Sequence, residues 1–333
     1  MKILVTGGAG YIGGTVAGLL VERGHEAVAF DNLSHGRRDL LPAGVEFVQG
    51  ELSDREALEN LFMLARNAGR PFDGVMHFAA LIEAGESMQH PEIYFRNNTA
   101  STLALLEAIL AHGPRRLVFS STAAVYGEPE TVPIQENARL LPTNAYGESK
   151  LLVEQMLAWF NRIHGLRYAS LRYFNVAGAP EGPGGIVRGE AHEPESHLIP
   201  LVLDVALGRR QSIRIYGDDY STPDGTCIRD YIHVSDLADA HLLAFEALES
   251  HDRLIYNLGN GKGFSVREVI ESARRVTGHP IPAEVHPRRA GDPAVLVAGS
   301  EKAIRELGWN PRHAELDAII RTAWVWHQKR YAK

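Results

Sequence analysis

The 333-residue chain has one cysteine, no long apolar run and no excess of basic charge. The lone Cys227 excludes an intrachain disulfide framework and leaves no Cys-rich ligand set, so we predict no metal site. Lysine and arginine number 34 against 41 acidic residues, which argues against nucleic acid as a partner. The opening apolar run stops early at glycines and predicts neither a signal peptide nor a membrane span, which favours a cytoplasmic location.

What is present is typical of a globular chain with room for two cores, since 45% of the residues are hydrophobic and 23% charged. Short β-rich runs alternate with helical patterns, which predicts an α/β fold with a doubly wound parallel sheet. The alternation breaks at 178–194, a stretch rich in Gly, Pro and Glu. We therefore expect a second, smaller mixed α/β domain, with 1–176 and 231–262 in the first domain and 177–230 and 263–333 in the second.

The N-terminus carries the strongest local pattern. Residues 2–6 predict a buried strand, 11–22 predict an apolar helix, and between them three glycines recur at three-residue spacing: Gly7, Gly10 and Gly13. A dinucleotide needs this close backbone approach and a helix N-terminus facing its pyrophosphate. Asp31 ends the next strand, where a carboxylate binds ribose hydroxyls and repels a 2′-phosphate. The Rossmann-type pattern thus predicts NAD rather than NADP.

Three later stretches carry polar groups suited to chemistry. Tyr146 and Lys150 are four apart on a predicted helix, so the ammonium should lower the pKa of the phenol and make it a general base, although such pairs are also common on helices. Thr122 follows a predicted strand, where its hydroxyl can bind substrate or simply cap a helix. Residues 172–175 offer further polar groups at another strand end.

Together with Arg229-Asp-Tyr-Ile-His-Val234 and Arg288-Arg-Ala-Gly-Asp292, these motifs resemble the extended short-chain dehydrogenase/reductase superfamily. Within it the chain is similar to the UDP-glucose 4-epimerases, from Lys2 to about Gln328. The resemblance implies inversion of C4 of a UDP-hexose through a transient 4-keto sugar and bound NAD. The substrate would be the UDP-glucose/UDP-galactose pair and, if space allows, the N-acetylated pair.

The resemblance also implies roles for individual residues. Tyr146 would be the base, Lys150 would lower its pKa and hold the nicotinamide ribose, and Thr122 would bind the C4 hydroxyl. The implied cofactor contacts are Gly7, Gly10, Tyr11, Ile12, Gly13, Asp31, Asn32, Glu51, Leu52, Phe78, Ala79, Ala80, Asn97, Tyr146, Lys150 and Phe174. The implied substrate contacts are Thr122, Asn175, His197, Leu198, Tyr216, Arg229, Arg289, Asp292 and Leu296.

Three positions depart from the pattern of the family. Ile82, which is followed by Glu83, stands where some members have a lysine on the cofactor phosphates, and His197 stands where an asparagine is frequent. Leu296 stands where members restricted to glucose and galactose have a tyrosine, in a register that rests on Gly291 and Asp292. We expect pyrophosphate binding to depend more on the glycine loop and the sugar pocket to be wider.

Two alternative functions stay open. A nucleotide-sugar dehydratase or decarboxylase would commonly carry a further carboxylate after Thr122, where this chain has Ala123 and Ala124. A non-catalytic cofactor sensor would have little reason to keep Tyr146 and Lys150 with Thr122.

The predicted helices 99–112 and 146–164 suggest a partner. The second is apolar around most of its circumference, whereas a helix that covers only its own sheet needs a single apolar stripe. The resemblance implies a homodimer through these two helices, and cover from the second domain is the alternative.

Overall fold

A computed structural model describes residues 1–182, 185, 186, 188–289 and 292–331. Its strands are β1 Lys2–Thr6, β2 Glu26–Asp31, β3 Glu46–Gln49, β4 Gly74–His77, β5 Arg116–Ser120, β6 Arg167–Tyr173, β7 Asn175–Ala177, β8 Glu181–Gly182, β9 Gly185–Ile186, β10 Ile213–Tyr216, β11 Ile228–His233, β12 Arg253–Leu258, β13 Gly263–Ser265, β14 Ala283–His286 and β15 Val295–Leu296. Its α-helices are α1 Tyr11–Glu22, α2 Arg55–Asn67, α3 Ala84–Ser87, α4 Pro91–Tyr94, α5 Ser101–His112, α6 Ala145–His164, α7 Leu198–Ala206, α8 Val234–Ala247, α9 Val266–Thr277, α10 Glu301–Leu307 and α11 Leu316–Tyr331. Among the helices of these ranges, none has the length and apolarity needed to cross a membrane.

The larger sheet has seven parallel strands in the order β12-β6-β5-β4-β1-β2-β3. From β1 the chain adds β2 and β3 on one side and then β4, β5 and β6 on the other. The gap between β1 and β4 is therefore the switch point at which such sheets bind ligands. The carboxyl ends of β1, β2, β4, β5 and β6 therefore bring the predicted cofactor and catalytic segments to one edge. The predicted doubly wound parallel sheet is confirmed.

Apolar side chains cover both faces of this sheet. One core joins β1 and β6 to α1 and α8 through residues such as Val5, Leu20, Leu171 and Phe245. The opposite core joins the sheet to α2, α5 and α6 through residues such as Leu61, Leu105 and Leu157. Parallel strands buried on both faces need continuous apolar runs, which is why β1 and β5 lack a polar alternation.

A smaller second domain packs beside the carboxyl edge. Helices α7, α9 and α11 share a separate core with β10 and β11. Strand β10 pairs with β14, while β11 pairs with β7, β13 and β15. Helix α10 packs toward the larger sheet, where Ala303 and Trp309 are fully buried in the core of α1 and α8.

Element positions agree closely with the sequence predictions except in one place. The predicted helix over 99–112 begins at Ser101, because Phe95–Ala100 forms a π-helical stretch before it. The short helices α3 and α4 precede this stretch, between β4 and the predicted helix. π-Helical turns are rare and concentrate at functional sites.

Candidate active site

The glycine loop is tightly folded between β1 and α1. Gly7 has a positive φ of 70°, and a Cβ there would lie 2.6 Å from the backbone nitrogen of Ala79. A Cβ on Gly13 would lie 2.3 Å from the carbonyl oxygen of Gly7. Only glycine therefore allows this packing of the loop on the segment after β4.

The N-terminus of α1 suits an anion. Its N-cap residue is Gly10, which has no side chain to occupy the helix end, and the first turn contains no acidic residue. The first N–H groups of a helix have no partner within the helix and lie at the positive end of its dipole. The side chain of Tyr11, in this first turn, is fixed by its hydroxyl, which donates to the carbonyl of Gly178 at 2.6 Å. These residues fit a dinucleotide pyrophosphate.

Asp31 is held in a fixed orientation beside that loop. Its Oδ2 accepts from the Ala9 N–H at 3.0 Å and its Oδ1 accepts from the Leu33 N–H at 2.8 Å. Burial raises the pKa of this carboxyl group. Each oxygen retains lone-pair capacity for a hydroxyl, as ribose binding requires.

Two further predicted cofactor residues meet across neighbouring loops. Asn32, after β2, donates through Nδ2 to Glu51 Oε2 at 2.7 Å, and Glu51 Oε1 accepts from the Leu52 N–H at 3.1 Å. Leu52 is buried beneath them. The structure thus supplies both a polar and an apolar surface at the ends of β2 and β3.

The π-helical stretch positions paired asparagines near α6. Asn98 is buried, and its Oδ1 accepts from the Leu81 N–H while its Nδ2 donates to the Leu81 carbonyl, each at 2.9 Å. Its Nδ2 also donates to Ser149 Oγ at 3.1 Å. Asn97 donates to Asn98 Oδ1 at 2.9 Å. The predicted cofactor residue Asn97 is therefore fixed to the loop that follows β4.

Tyr146 and Thr122 are brought together, as predicted. Tyr146 lies in the first turn of α6, where its backbone N–H donates to Ser87 Oγ at 3.1 Å. A side-chain hydrogen bond with Thr122 lowers the pKa of Tyr146, but burial, the larger effect, raises it. Thr122 Oγ1 also accepts from the Ala124 N–H at 3.1 Å, so the hydroxyl caps a short 3₁₀ helix as well.

Lys150 follows one turn later and is 2% exposed. Its Nζ donates to the Ser120 carbonyl at 2.9 Å and lies 5.0 Å from the centre of the Phe119 ring. Burial lowers the pKa of Lys150 to about 7, because an ammonium loses hydration there.

The prediction that Lys150 brings the pKa of Tyr146 toward neutrality is not met by the side chains of this structure. The pKa of Tyr146 is raised overall, mainly by burial and also by the nearby carboxylate of Glu83. Burial opposes both charged forms at once, because it disfavours phenolate and ammonium alike. Spacing along a helix reveals proximity but not the depth of burial.

The structure corrects the prediction for Arg172, which the sequence analysis counted among the polar groups suited to chemistry at 172–175. The guanidinium is buried and pairs with Glu154, with Nη2 2.5 Å from Oε2 and Nε 2.9 Å from Oε1. Its Nη1 also donates to the hydroxyl of Tyr126 at 2.9 Å. The pair supports β6 and α6 from beneath the site, and Ser121, next to Thr122, donates to Glu154 Oε1 at 2.5 Å.

Several predicted substrate residues cluster in the second domain. Arg229 forms an ion pair with Asp292, and Arg289 lies over the Tyr216 ring at 4.1 Å. The preceding residues 290 and 291 of the Arg-Arg-Ala-Gly-Asp motif lie outside the described residues. Guanidinium groups present paired, fixed donors, so these arginines suit a diphosphate.

Leu296 lies directly opposite Arg229 where β15 pairs with β11. Residues opposite each other on neighbouring strands present their side chains to the same face. Leu296 also packs against a buried cluster that includes Ala123 and Phe174, the neighbours of Thr122 and Asn175. Asn175 itself pairs with Tyr231 in β7 and β11. These contacts connect the second domain to the catalytic strand end.

Two residues near the site make contacts that the sequence analysis did not predict. Glu83 accepts from Ser196 Oγ at 2.8 Å, which joins the loop after β4 to the segment before α7, where the predicted His197 and Leu198 lie. Tyr173 hydrogen-bonds Ser120, and its pKa is raised by burial and by nearby Tyr146. The sequence shows that Glu83 departs from the family pattern, but it does not show that Ser196 is its hydrogen-bond partner.

The fold and the site define a nucleotide-binding enzyme of the short-chain dehydrogenase type, and the comparisons specify it. The model of the NAD dependent epimerase/dehydratase family matches residues 3–259. The chain belongs to this family, and its cofactor is NAD.

Relatives of high sequence identity are 4-epimerases of UDP-sugars by name. A UDP-glucose 4-epimerase from Streptomyces lividans is 57% identical, over 98% of this chain and 96% of its own. A crystal structure of a UDP-glucose 4-epimerase has a TM-score of 0.94, with 50% identity and 100% coverage of both chains. The UDP-Glc/GlcNAc 4-epimerase of Campylobacter jejuni has a TM-score of 0.83, with 42% identity over 98% of this chain and 99% of that one.

Proposed function

We propose that this protein is a UDP-glucose 4-epimerase, which interconverts UDP-glucose and UDP-galactose by inverting C4 of the hexose. The observation that carries the proposal is the meeting of Thr122, Tyr146 and Lys150 at the carboxyl edge of the sheet. It occurs in a chain 57% identical, over nearly its full length, to an enzyme of that name.

Tyr146 exchanges the proton. Once deprotonated, its phenol oxygen would take the proton of the C4 hydroxyl, directly or through the Thr122 hydroxyl, and later return it to the same oxygen. Bound NAD would supply a positive charge, which favours the phenolate against the effect of burial, and a group that can accept the C4 hydride and give it back. Between the two transfers the 4-keto hexose turns about its link to the diphosphate.

Lys150 lies at the end of β5. Its Nζ is fixed on the Ser120 carbonyl and retains two further donors, which suit the hydroxyls of the nicotinamide ribose. Because the pKa of Lys150 is lowered to about 7, this group changes protonation near neutral pH unless an acceptor or a negative charge stabilises the ammonium.

Recognition of the substrate is assigned to the second domain. We propose that 1–176 and 231–262 bind NAD, and that 177–230 and 263–333 bind the UDP group. Arg229 and Arg289 would hold the diphosphate, aligned by their contacts with Asp292 and Tyr216. Tight binding of UDP leaves the hexose free to turn, which the inversion requires.

The sugar pocket supports a wider substrate range. The resemblance to the family implies that Leu296 stands where members restricted to glucose and galactose have a tyrosine, and its side chain lies on the same face as that of Arg229. We infer that the N-acetylated pair of UDP-hexoses is also a substrate. The Campylobacter jejuni relative, whose name includes both sugars, is consistent with this inference.

We infer a homodimer through α5 and α6. On α6 the side chains of Trp159 and Ile163 are 59% and 63% exposed, which leaves an apolar surface that a second copy would cover. Trp159→Glu should shift the mass measured by light scattering toward the monomer, whereas Met63→Glu on α2 should leave it unchanged. An unchanged dimer in Trp159→Glu would move the interface elsewhere. The cytoplasmic location stays a prediction.

The test of the activity uses the purified holoenzyme. We expect NAD to be released on denaturation, UDP-galactose to be converted to UDP-glucose, and reduced cofactor to absorb when UDP-hexose is added. Accumulation of a 4-keto product would indicate a dehydratase instead. Bound NAD without turnover of any UDP-hexose would indicate a cofactor sensor.

A further inference from the structure

A second group of titratable residues lies outside the catalytic set. It occupies the segment 188–197, which contains neither helix nor strand and leads into α7. Four side chains in eight residues follow the pattern Glu-x-His-x-x-Glu-x-His: Glu190, His192, Glu195 and His197. The sequence analysis noted the composition of this stretch but predicted no metal.

The four side chains converge. One nitrogen or oxygen from each lies within 4.8 Å of those of the other three. His197 Nδ1 is 2.8 Å from Glu190 Oε1 and 3.1 Å from Glu195 Oε1, and His192 Nδ1 is 3.2 Å from Glu190 Oε1. Ligands about 2.0–2.1 Å from a tetrahedral ion are about 3.3 Å apart, so the group has nearly the size of a zinc site.

The group is also held in place and partly buried. Trp326 Nε1 donates to the Glu190 carbonyl at 2.7 Å, and a Cβ on Gly189 would lie 2.4 Å from the Trp326 ring. Glu190 is 7% exposed. His192 Nδ1 is buried, and Glu190 Oε1 is the polar atom beside it.

The donor set decides which ion fits. Burial alone would lower the pKa of His192 and of His197, but Glu190 outweighs it and raises both, so without an ion the protonated imidazoles balance the carboxylates, and a bound divalent ion would take the place of those protons. Imidazole nitrogen with carboxylate oxygen is a donor set for zinc and its first-row neighbours rather than for calcium or magnesium, which prefer oxygen alone.

We propose that Glu190, His192, Glu195 and His197 bind one divalent transition-metal ion, with zinc as the first candidate. Four protein ligands complete a tetrahedral shell, so the ion is structural and takes no part in the reaction. It would fix the segment 188–197 between the start of α1, where Arg188 donates to the Gly14 carbonyl at 2.6 Å, and the start of α7. The predicted substrate residues His197 and Leu198 would thereby be held in place.

The test measures metal in the full-length holoenzyme, prepared without an affinity tag. After treatment with a chelator, Zn²⁺ should bind at about one ion per chain in competition with a chromophoric chelator. His192→Gln should weaken binding by more than about 100-fold, since even indirect ligand partners contribute about 10- to 100-fold. Co²⁺ in the same site should give the intense visible absorption of a four-coordinate ion.

A matched control lies on the surface, where His90 and Glu92 form an exposed pair. His90→Gln should leave the Zn²⁺ stoichiometry and affinity unchanged. Zn²⁺ should also raise the unfolding temperature of the wild type and of His90→Gln but not of His192→Gln. The proposal is overturned if the wild type binds no Zn²⁺, or if His192→Gln and Glu195→Gln both bind it as tightly as the wild type. A hydrogen-bonded ion-pair cluster would then be the correct description.

Discussion

Replacement of Leu296 by tyrosine tests whether the side chain at this position limits the space around C2 of the hexose. Leu296 lies opposite Arg229 on the same face of the paired strands and packs beside Ala123 and Phe174. A 2-acetamido group adds three heavy atoms at C2 of the hexose, and a tyrosine ring would compete with them for space. The smaller leucine leaves that space available.

The expected magnitude follows from overpacking. Extra atoms in a filled site cost about 1–3 kcal/mol, which corresponds to about 5- to 150-fold in discrimination. We expect Leu296→Tyr to lower kcat/KM for UDP-N-acetylgalactosamine by a factor in this range and to leave UDP-galactose nearly unchanged. The comparison of the two substrates within one variant removes any effect of lower enzyme concentration.

Leu296→Met is the matched control, because it keeps the side-chain volume and should change kcat/KM for either substrate only a few-fold. Thermal unfolding of both variants checks that the cluster around Phe174 remains packed. The reasoning is refuted if both substrates decline together in Leu296→Tyr. It is equally refuted if the wild type does not epimerise the acetamido sugar.

Three further predictions concern proton transfer, the cofactor and pH. Tyr146→Phe should lower kcat by about 10²–10⁴-fold or more while NAD stays bound, and near-normal turnover in the folded variant would exclude Tyr146 as the base. Asp31→Asn should weaken the preference for NAD over NADP in cofactor exchange, and an unchanged preference would show that Asp31 does not select the ribose. Burial lowers the pKa of His77 to about 3, so its contribution to stability is present above pH 6.5 and is lost as the pH falls toward 3. Denaturant unfolding at pH 7.5 and pH 5 should therefore differ by about 2 kcal/mol more in the wild type than in His77→Gln, and equal differences would contradict the shift.

The sequence predicts the first domain well because the relevant information is local. Apolar runs and glycines define β1 and α1 at the bounds that the structure has. The start of α5 differs because the π-helical turn at Phe95–Ala100 depends on the contacts of Asn98 with Leu81 and Ser149, which are distant in sequence.

The site is predictable as a set of residue types but not as an electrostatic environment. Spacing places Tyr146 and Lys150 on one face of a helix, and the structure brings Tyr146 to Thr122. The pKa values of Tyr146 and Lys150 follow mainly from burial, to which the surrounding elements contribute. The role of Arg172 was misjudged for the same reason, because its partner Glu154 lies on another element.

The return of the chain to its first core has a consequence for synthesis. Trp309 is 1% exposed and donates to the Asp236 carbonyl at 2.8 Å, while the Asp236 carboxylate accepts from the backbone of Arg312 and His313. The core beneath α1 therefore stays incomplete until these residues have left the ribosome. The N-terminal domain must wait for almost the whole chain before it reaches its final stability, and chaperones have that interval in which to act.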